Sequence, residues 1–193
     1  MHDIDPRSGC RLPLPRCEDL DEAGRRIYDS LAQPTDGTLR GLRGPGGILL
    51  HNPELARYAR ALNRYLRYDA GLGGRVRELA ILITARELDS QFEWAAHEPE
   101  ALREGISRDI IEVVMHRLDT SGLDQADAIV IEMGREIFGA RKVTSETFAR
   151  ALRHFGHRAL VDLVALMGNY AGTAALLTAF DMQLDTDQPP LWP

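Results

Sequence analysis

The stretch RVRELAILITARELDSQFEWAAHEPEALR, running from Arg75 to Arg103, decides how this chain folds. Leu79, Leu82, Ile83 and Arg86 fall on neighbouring turns of a 3.6-residue period, which predicts a helix over 75–88. Asp89 and Ser90 break and recap the chain, and a second helix follows over 91–103 until Gly105 stops it. Phe92, Trp94, Ala95 and Ala96 make that second helix apolar round most of its circumference, the pattern of a helix buried on all sides. So short a turn between two helices gives an antiparallel hairpin with few polar residues inside it.

Outward from this hairpin, almost every periodic segment reads as helix and no run alternates as a strand. Helices are expected over 20–31, from Pro53 behind the N-cap Asn52, over 108–117 behind Ser107, and over 124–138, 145–155, 157–170 and 172–183. A loop over 40–52 holds Gly41, Gly44, Gly46 and Gly47; with no strand before it and no Gly-Lys-Ser/Thr after it, it is not a phosphate cradle. The expected architecture is an all-α single-domain bundle of about eight helices: a flexible Pro-rich leader at 1–17, the helical domain at 18–185 and an extended tail at 186–193. A faint echo at an offset of 84 aligns Val76, Glu78, Leu79 and Leu82 with Leu160, Asp162, Leu163 and Leu166, suggesting a second helical hairpin that lacks the polar set.

A chain of 193 residues with 44% hydrophobic and 27% charged side chains is ordinary globular composition. A net charge of −6 argues against a surface that tracks nucleic-acid phosphates. The apolar runs at 79–84 and 160–167 are far shorter than the roughly 20 residues a membrane span needs, and the N-terminus lacks the basic start and apolar middle of a secretory signal. The expectation is a cytoplasmic protein with a small-molecule substrate, no nucleic-acid partner and no membrane. Cys10 and Cys17 lie in the leader, either as a disulfide or, more simply, as two idle thiols. Lys142, the only lysine, sits in a polar turn and is no candidate for Schiff-base chemistry. The uncharged segment 171–180 predicts an apolar surface that a second copy of the chain would cover.

Glu93 and His97 are four apart, on one face of a helix. Glu78 lies eleven residues before Asp89 and His97 eight after it, so an antiparallel hairpin leaves them offset axially by about 4–5 Å. Two carboxyl groups and an imidazole can therefore converge, which suits proton transfer near neutral pH. A metal bound by the same three groups lacks a second histidine.

Glu78, Ser90, Glu93 and His97, in the frames RELAIL (77–82) and EWAAH (93–97), resemble the carboxymuconolactone decarboxylase family, which includes alkyl hydroperoxidase D. The segments 44–56 and 160–170 resemble its longer members. In the peroxidase branch the pattern is a glutamate, a Cys-x-x-Cys pair and a histidine four after the second cysteine; here Ser90 and Glu93 stand at the cysteine positions. A hydroxyl and a carboxyl form neither thiolate nor disulfide, so peroxide reduction by that route is excluded. The resemblance implies an alkyl hydroperoxidase D-like bundle, a trimer or hexamer, and the thiol-free activity: a lyase or isomerase, a decarboxylase in type, acting without cofactor or metal on a small carboxylated or lactone-like molecule. It assigns catalysis to His97 as proton donor, Glu93 orienting it and Glu78 as a second acid–base group. Ser90, Arg75 and Arg86 are the candidates for substrate binding, with His51, Trp94 and Tyr170 as pocket walls. The alternatives are an alkyl hydroperoxidase D-like antioxidant protein and a non-catalytic scaffold.

Overall fold

The computed structural model describes residues 3–33, 41–185 and 190–192. Among them there are eight α-helices and no strand, as expected for the all-α class. They are α1 (Glu22–Ala32), α2 (Pro45–Leu49), α3 (Pro53–Arg64), α4 (Gly74–Glu87), α5 (Gln91–Arg103), α6 (Arg108–Met115), α7 (Gln125–Gly134) and α8 (Ser145–Ala179). Contacts divide the chain into two compact units, Met1–Leu62 with Ala175–Pro193, and Asn63–Ala174. Most of the expected extended tail lies outside the described residues.

Asn63–Ala174 is built round α4. Leu79 to Ile83 are all fully buried, so this helix is covered on every side. Beyond α4, Asp89 adopts a left-handed conformation (φ 51°) and the Ser90 amide reaches back 2.8 Å to the Ala85 carbonyl. That turn folds α5 against α4 as the predicted hairpin. α5 stops in the same manner, with Gly105 at φ 81° and the Ile106 amide 3.0 Å from the Ala101 carbonyl. α7 packs on another side of α4, where Gly134 permits close approach: a Cβ there would lie 2.6 Å from Ile83 Cγ1. The Ser107 and Asp124 side chains accept the amides of Ile110 and Ala126, capping α6 and α7.

The sequence divides 145–183 into three helices; the first break is present, since Gly156 (φ 74°, ψ 172°) kinks α8 between two helical stretches, and the second is not. Gly172 has nothing crowding it and stays helical, so no turn forms and the second hairpin suggested by the 84-residue echo does not exist. By length and composition α8 is able to cross a membrane, a test that core helices of soluble proteins also pass.

In the other unit, α1 is capped by Asp21 accepting the Gly24 amide at 2.7 Å. Leu20, Leu31 and Leu50 form a small core with Ile27, Tyr28 and Leu42. The predicted N-cap of α3 is present, with the Leu55 amide 3.0 Å from Asn52 Oδ1. Part of the glycine-rich loop is helical, as α2. The leader is packed rather than loose: Cys10 is buried, and the Arg11 and Gln183 amides donate to the Phe180 and Gly9 carbonyls. Cys10 and Cys17 are both free thiols.

Candidate active site

Glu78 enters the site from the second turn of α4, pointing inward with the apolar residues that follow it, and is fully buried. Its Oε2 accepts a 2.7 Å hydrogen bond from His97 Nδ1 on α5. Its Oε1 accepts a 2.9 Å hydrogen bond from Arg77 Nε and lies 3.6 Å from Arg67 Nη2. Arg67 belongs to the π-helical segment Tyr65–Asp69 that continues α3, and it is itself buried. Tyr170 of α8 meets the His97 ring edge-on, with centroids 5.1 Å apart.

Burial acts to raise the Glu78 carboxyl, but the His97 hydrogen bond and charge, the Arg77 hydrogen bond and the Arg67 charge outweigh it and hold the group below its usual value. For His97, burial dominates and lowers the imidazole pKa despite its hydrogen bond to the Glu78 carboxylate. At neutral pH the pair is therefore a carboxylate and a neutral imidazole, with the proton on Nδ1 and a lone pair on Nε2.

Glu93 lies one turn before His97 on α5, only 3% exposed. Both of its carboxyl oxygens lack a hydrogen-bond partner of normal geometry among the described residues. Burial pushes it up to about 8, with the neighbouring Ser90 hydroxyl offsetting only part of the shift. At pH 7 it is a carboxylic acid. The hairpin thus holds two glutamates of opposite protonation beside one imidazole.

The model of the carboxymuconolactone decarboxylase family matches residues 53–131, a span that contains Glu78, Ser90, Glu93 and His97. The likeness to the carboxymuconolactone decarboxylase family is carried by this segment. Neither the curated proteins nor the solved structures gave a match. Tyr170 and His51 lie outside the carboxymuconolactone decarboxylase segment, on the C-terminal and N-terminal sides respectively.

Within that segment, several contacts differ from those expected of the site residues. The group that orients His97 is Glu78, across the hairpin, and not Glu93 on the same helix. Burial leaves His97 a neutral imidazole of lowered pKa, whereas Glu93 is the group that holds a proton at pH 7. Arg75, expected as a substrate anchor, is paired with Asp127, Nη2 to Oδ2 at 2.6 Å, and donates to the Gly105 carbonyl. Arg86 is likewise committed, to the Met115 carbonyl at 2.7 Å and to Asp89. His51 is exposed and bonds the Pro13 carbonyl at 2.8 Å, within the other unit. Trp94 is a core residue whose indole N–H is satisfied by Glu98 at 2.9 Å. Ser90 occupies the N-cap position of α5 without making a cap bond, and its influence on Glu93 places it in the cluster. Tyr170 is beside His97 as expected.

Two cations of the site were missed. Arg77 adjoins Glu78 in sequence, where helical side chains ordinarily point apart, but its long arm turns back onto the carboxylate. Arg67 lies on a π turn, whose wider winding places Leu66 and Arg67 inward together and leaves no mark in a 3.6-residue pattern. Among the described residues no three His, Cys, Asp or Glu side chains are grouped as metal ligands.

Proposed function

We propose that the protein is a cofactor-free acid–base enzyme that decarboxylates or isomerises a small carboxylated or lactone-like molecule. The observation that carries the reading is the buried pairing of an oriented neutral imidazole with a protonated carboxyl one turn away on α5. Loss of carbon dioxide breaks the bond to the substrate carboxylate and leaves its electron pair delocalised into a conjugated lactone carbonyl. The carbon then needs one proton, which Glu93 delivers; the Glu93 carboxylate that results is restored by a proton from water, passed through His97 Nε2. Isomerisation uses the same two groups, His97 removing a proton and Glu93 returning one. Burial strengthens both steps, because the groups act in a low-dielectric setting.

The thiol-dependent peroxidase route finds no support, since positions 90 and 93 carry a hydroxyl and a carboxyl. The proposal extends to a homo-oligomer, trimer or hexamer, working on its substrate in the cytoplasm. Exposed apolar side chains on α8, Val161 at 68% and Val164 at 40%, are consistent with association. The test is turnover of a carboxylated unsaturated γ-lactone, followed by carbon dioxide release. His97→Ala is expected to lower the rate by about 10²–10⁴-fold while the protein stays helical. Unchanged turnover in a folded His97→Ala protein would refute the proposal.

A further inference from the structure

The Glu78–His97 hydrogen bond has two arrangements with the same number of protons. In one, Glu78 is a carboxylate accepting from Nδ1–H, and Nε2 carries a lone pair. In the other, Glu78 keeps the proton and donates it to Nδ1, while Nε2 carries the hydrogen. Only the first presents a base at Nε2. Burial alone favours the second, because it contains no carboxylate. What selects between them is the charge beside the other oxygen of Glu78.

That charge comes from two arginines of unequal character. Arg77 divides its guanidinium among Glu78 Oε1, the Arg67 carbonyl at 3.0 Å and Glu104 at 2.9 Å. Glu104 is 40% exposed and neutralises part of the Arg77 charge. Arg67 has a side chain only 5% exposed, lies 3.6 Å from Oε1 and sits over the Tyr68 ring, 5.2 Å from its centroid. Its charge is therefore poorly screened by water. The Arg77 bond to the Arg67 carbonyl also pins the π turn that carries it. Such turns recur where a helix must aim a side chain out of its regular register.

We propose that Arg67 is a positioning residue: its guanidinium holds Glu78 as a carboxylate and thereby fixes His97 in the tautomer that bears hydrogen on Nδ1 and a lone pair on Nε2. It acts through Glu78. The groups that face His97 are Glu78 from α4, Glu93 and Glu100 one turn to either side of it or nearly so on α5, Arg67 from the π turn and Tyr170 from α8. Tyr170 is held un-ionised by burial, and Glu93 is protonated at neutral pH, so Arg67 and Arg77 are the positive charges that act on the pair.

The inference rests on the acid–base reading for its purpose, but its measurement needs no substrate. The ring nitrogens of His97 are observed by ¹⁵N NMR on the full chain, assigned by their loss in His97→Gln, and the Glu78 carboxyl is followed by ¹³C across pH. The unaltered protein is expected to show protonated Nδ1, bare Nε2 and ionised Glu78 at pH 7. Arg67→Gln is expected to raise the pH at which Glu78 ionises by about one to three units and to transfer the ring hydrogen toward Nε2. Arg67→Lys, which keeps the charge, restores the original tautomer. A folded Arg67→Gln protein with unaltered tautomer and Glu78 titration overturns the proposal. Hydrogen on Nε2 in the unaltered protein overturns it as well, whether or not the variant folds. If His97→Ala leaves turnover intact while the Arg67 result holds, the proposed function fails and the positioning role stands.

Discussion

Replacing Glu93 by glutamine keeps the side-chain volume and removes a buried group that ionises within the ordinary working range of pH. The folded-state value of about 8 lies above the usual 4.5. Between those values the folded chain keeps a proton that the unfolded chain has lost, so stability from this group is full at low pH and declines as pH rises toward 8. Below pH 6.5 the decline is opposed by His97, whose lowered pKa makes the folded state lose stability as pH falls. Above pH 6.5 the Glu93 effect stands alone of the two. From pH 6.5 to 9 it amounts to about 2 kcal/mol, at roughly 1.4 kcal/mol per unit until the group titrates. The assay is urea denaturation at half-unit steps, where about 2 kcal/mol corresponds to a midpoint shift of roughly 1 M. Subtracting the Glu93→Gln curve from that of the unaltered protein removes all other titrating groups. The difference should favour the unaltered protein at pH 6.5 relative to pH 9 by that amount. Parallel curves would show that Glu93 is hydrated or paired in solution and would remove it as the proton donor.

Gly134→Ala places a methyl carbon against the Ile83 side chain in a fully packed region and is expected to cost about 1–3 kcal/mol, read by thermal unfolding. Ile83→Val in the same chain should recover part of the loss. Arg75→Ala leaves Asp127 buried without its cation; with Arg75 itself 40% exposed, the expected cost is about 1–3 kcal/mol. The same variant should leave the Michaelis constant for the lactone unchanged, contrary to a role in substrate anchoring. Gly156→Ala forces a side chain onto φ 74°, ψ 172°, a region open essentially to glycine, and should lower stability by about 1–3 kcal/mol in urea denaturation.

The features legible in the sequence are those fixed by neighbours in the chain. Asn52 and Ser107 cap helices through amides three residues away, and such pairs leave a local signature. The hairpin was readable because α4 and α5 carry apolar residues on nearly every side, which only burial explains. Its turn also set the axial meeting of Glu78 with His97. The fate of each charge was not readable. Arg75 finds Asp127 and Arg86 finds the Met115 carbonyl, partners 52 and 29 residues away that no spacing rule connects. Gly156 and Gly172 look alike in sequence, yet only Gly156 leaves the helical conformation.

Residue type alone also failed to separate the roles of the two glutamates. Glu78 and Glu93 are both buried, one hairpin arm apart, and an equal desolvation would leave both protonated. The asymmetry comes from the cations: Arg67 and Arg77 both approach Oε1 of Glu78, whereas Glu93 has only the Ser90 hydroxyl to moderate its burial. Pushing two carboxyl groups apart in this manner is what allows one site to hold an acid and a base at the same pH. It follows that a cation delivered to position 90, as in Ser90→Arg, would collapse the difference: Glu93 would ionise near the ordinary carboxyl range, and decarboxylation would lose its proton source while the Glu78–His97 bond remained. The check is the Glu93 titration by ¹³C NMR alongside carbon dioxide release. A fall in the Glu93 value with turnover undiminished would mean that the proton reaches the substrate carbon by another route.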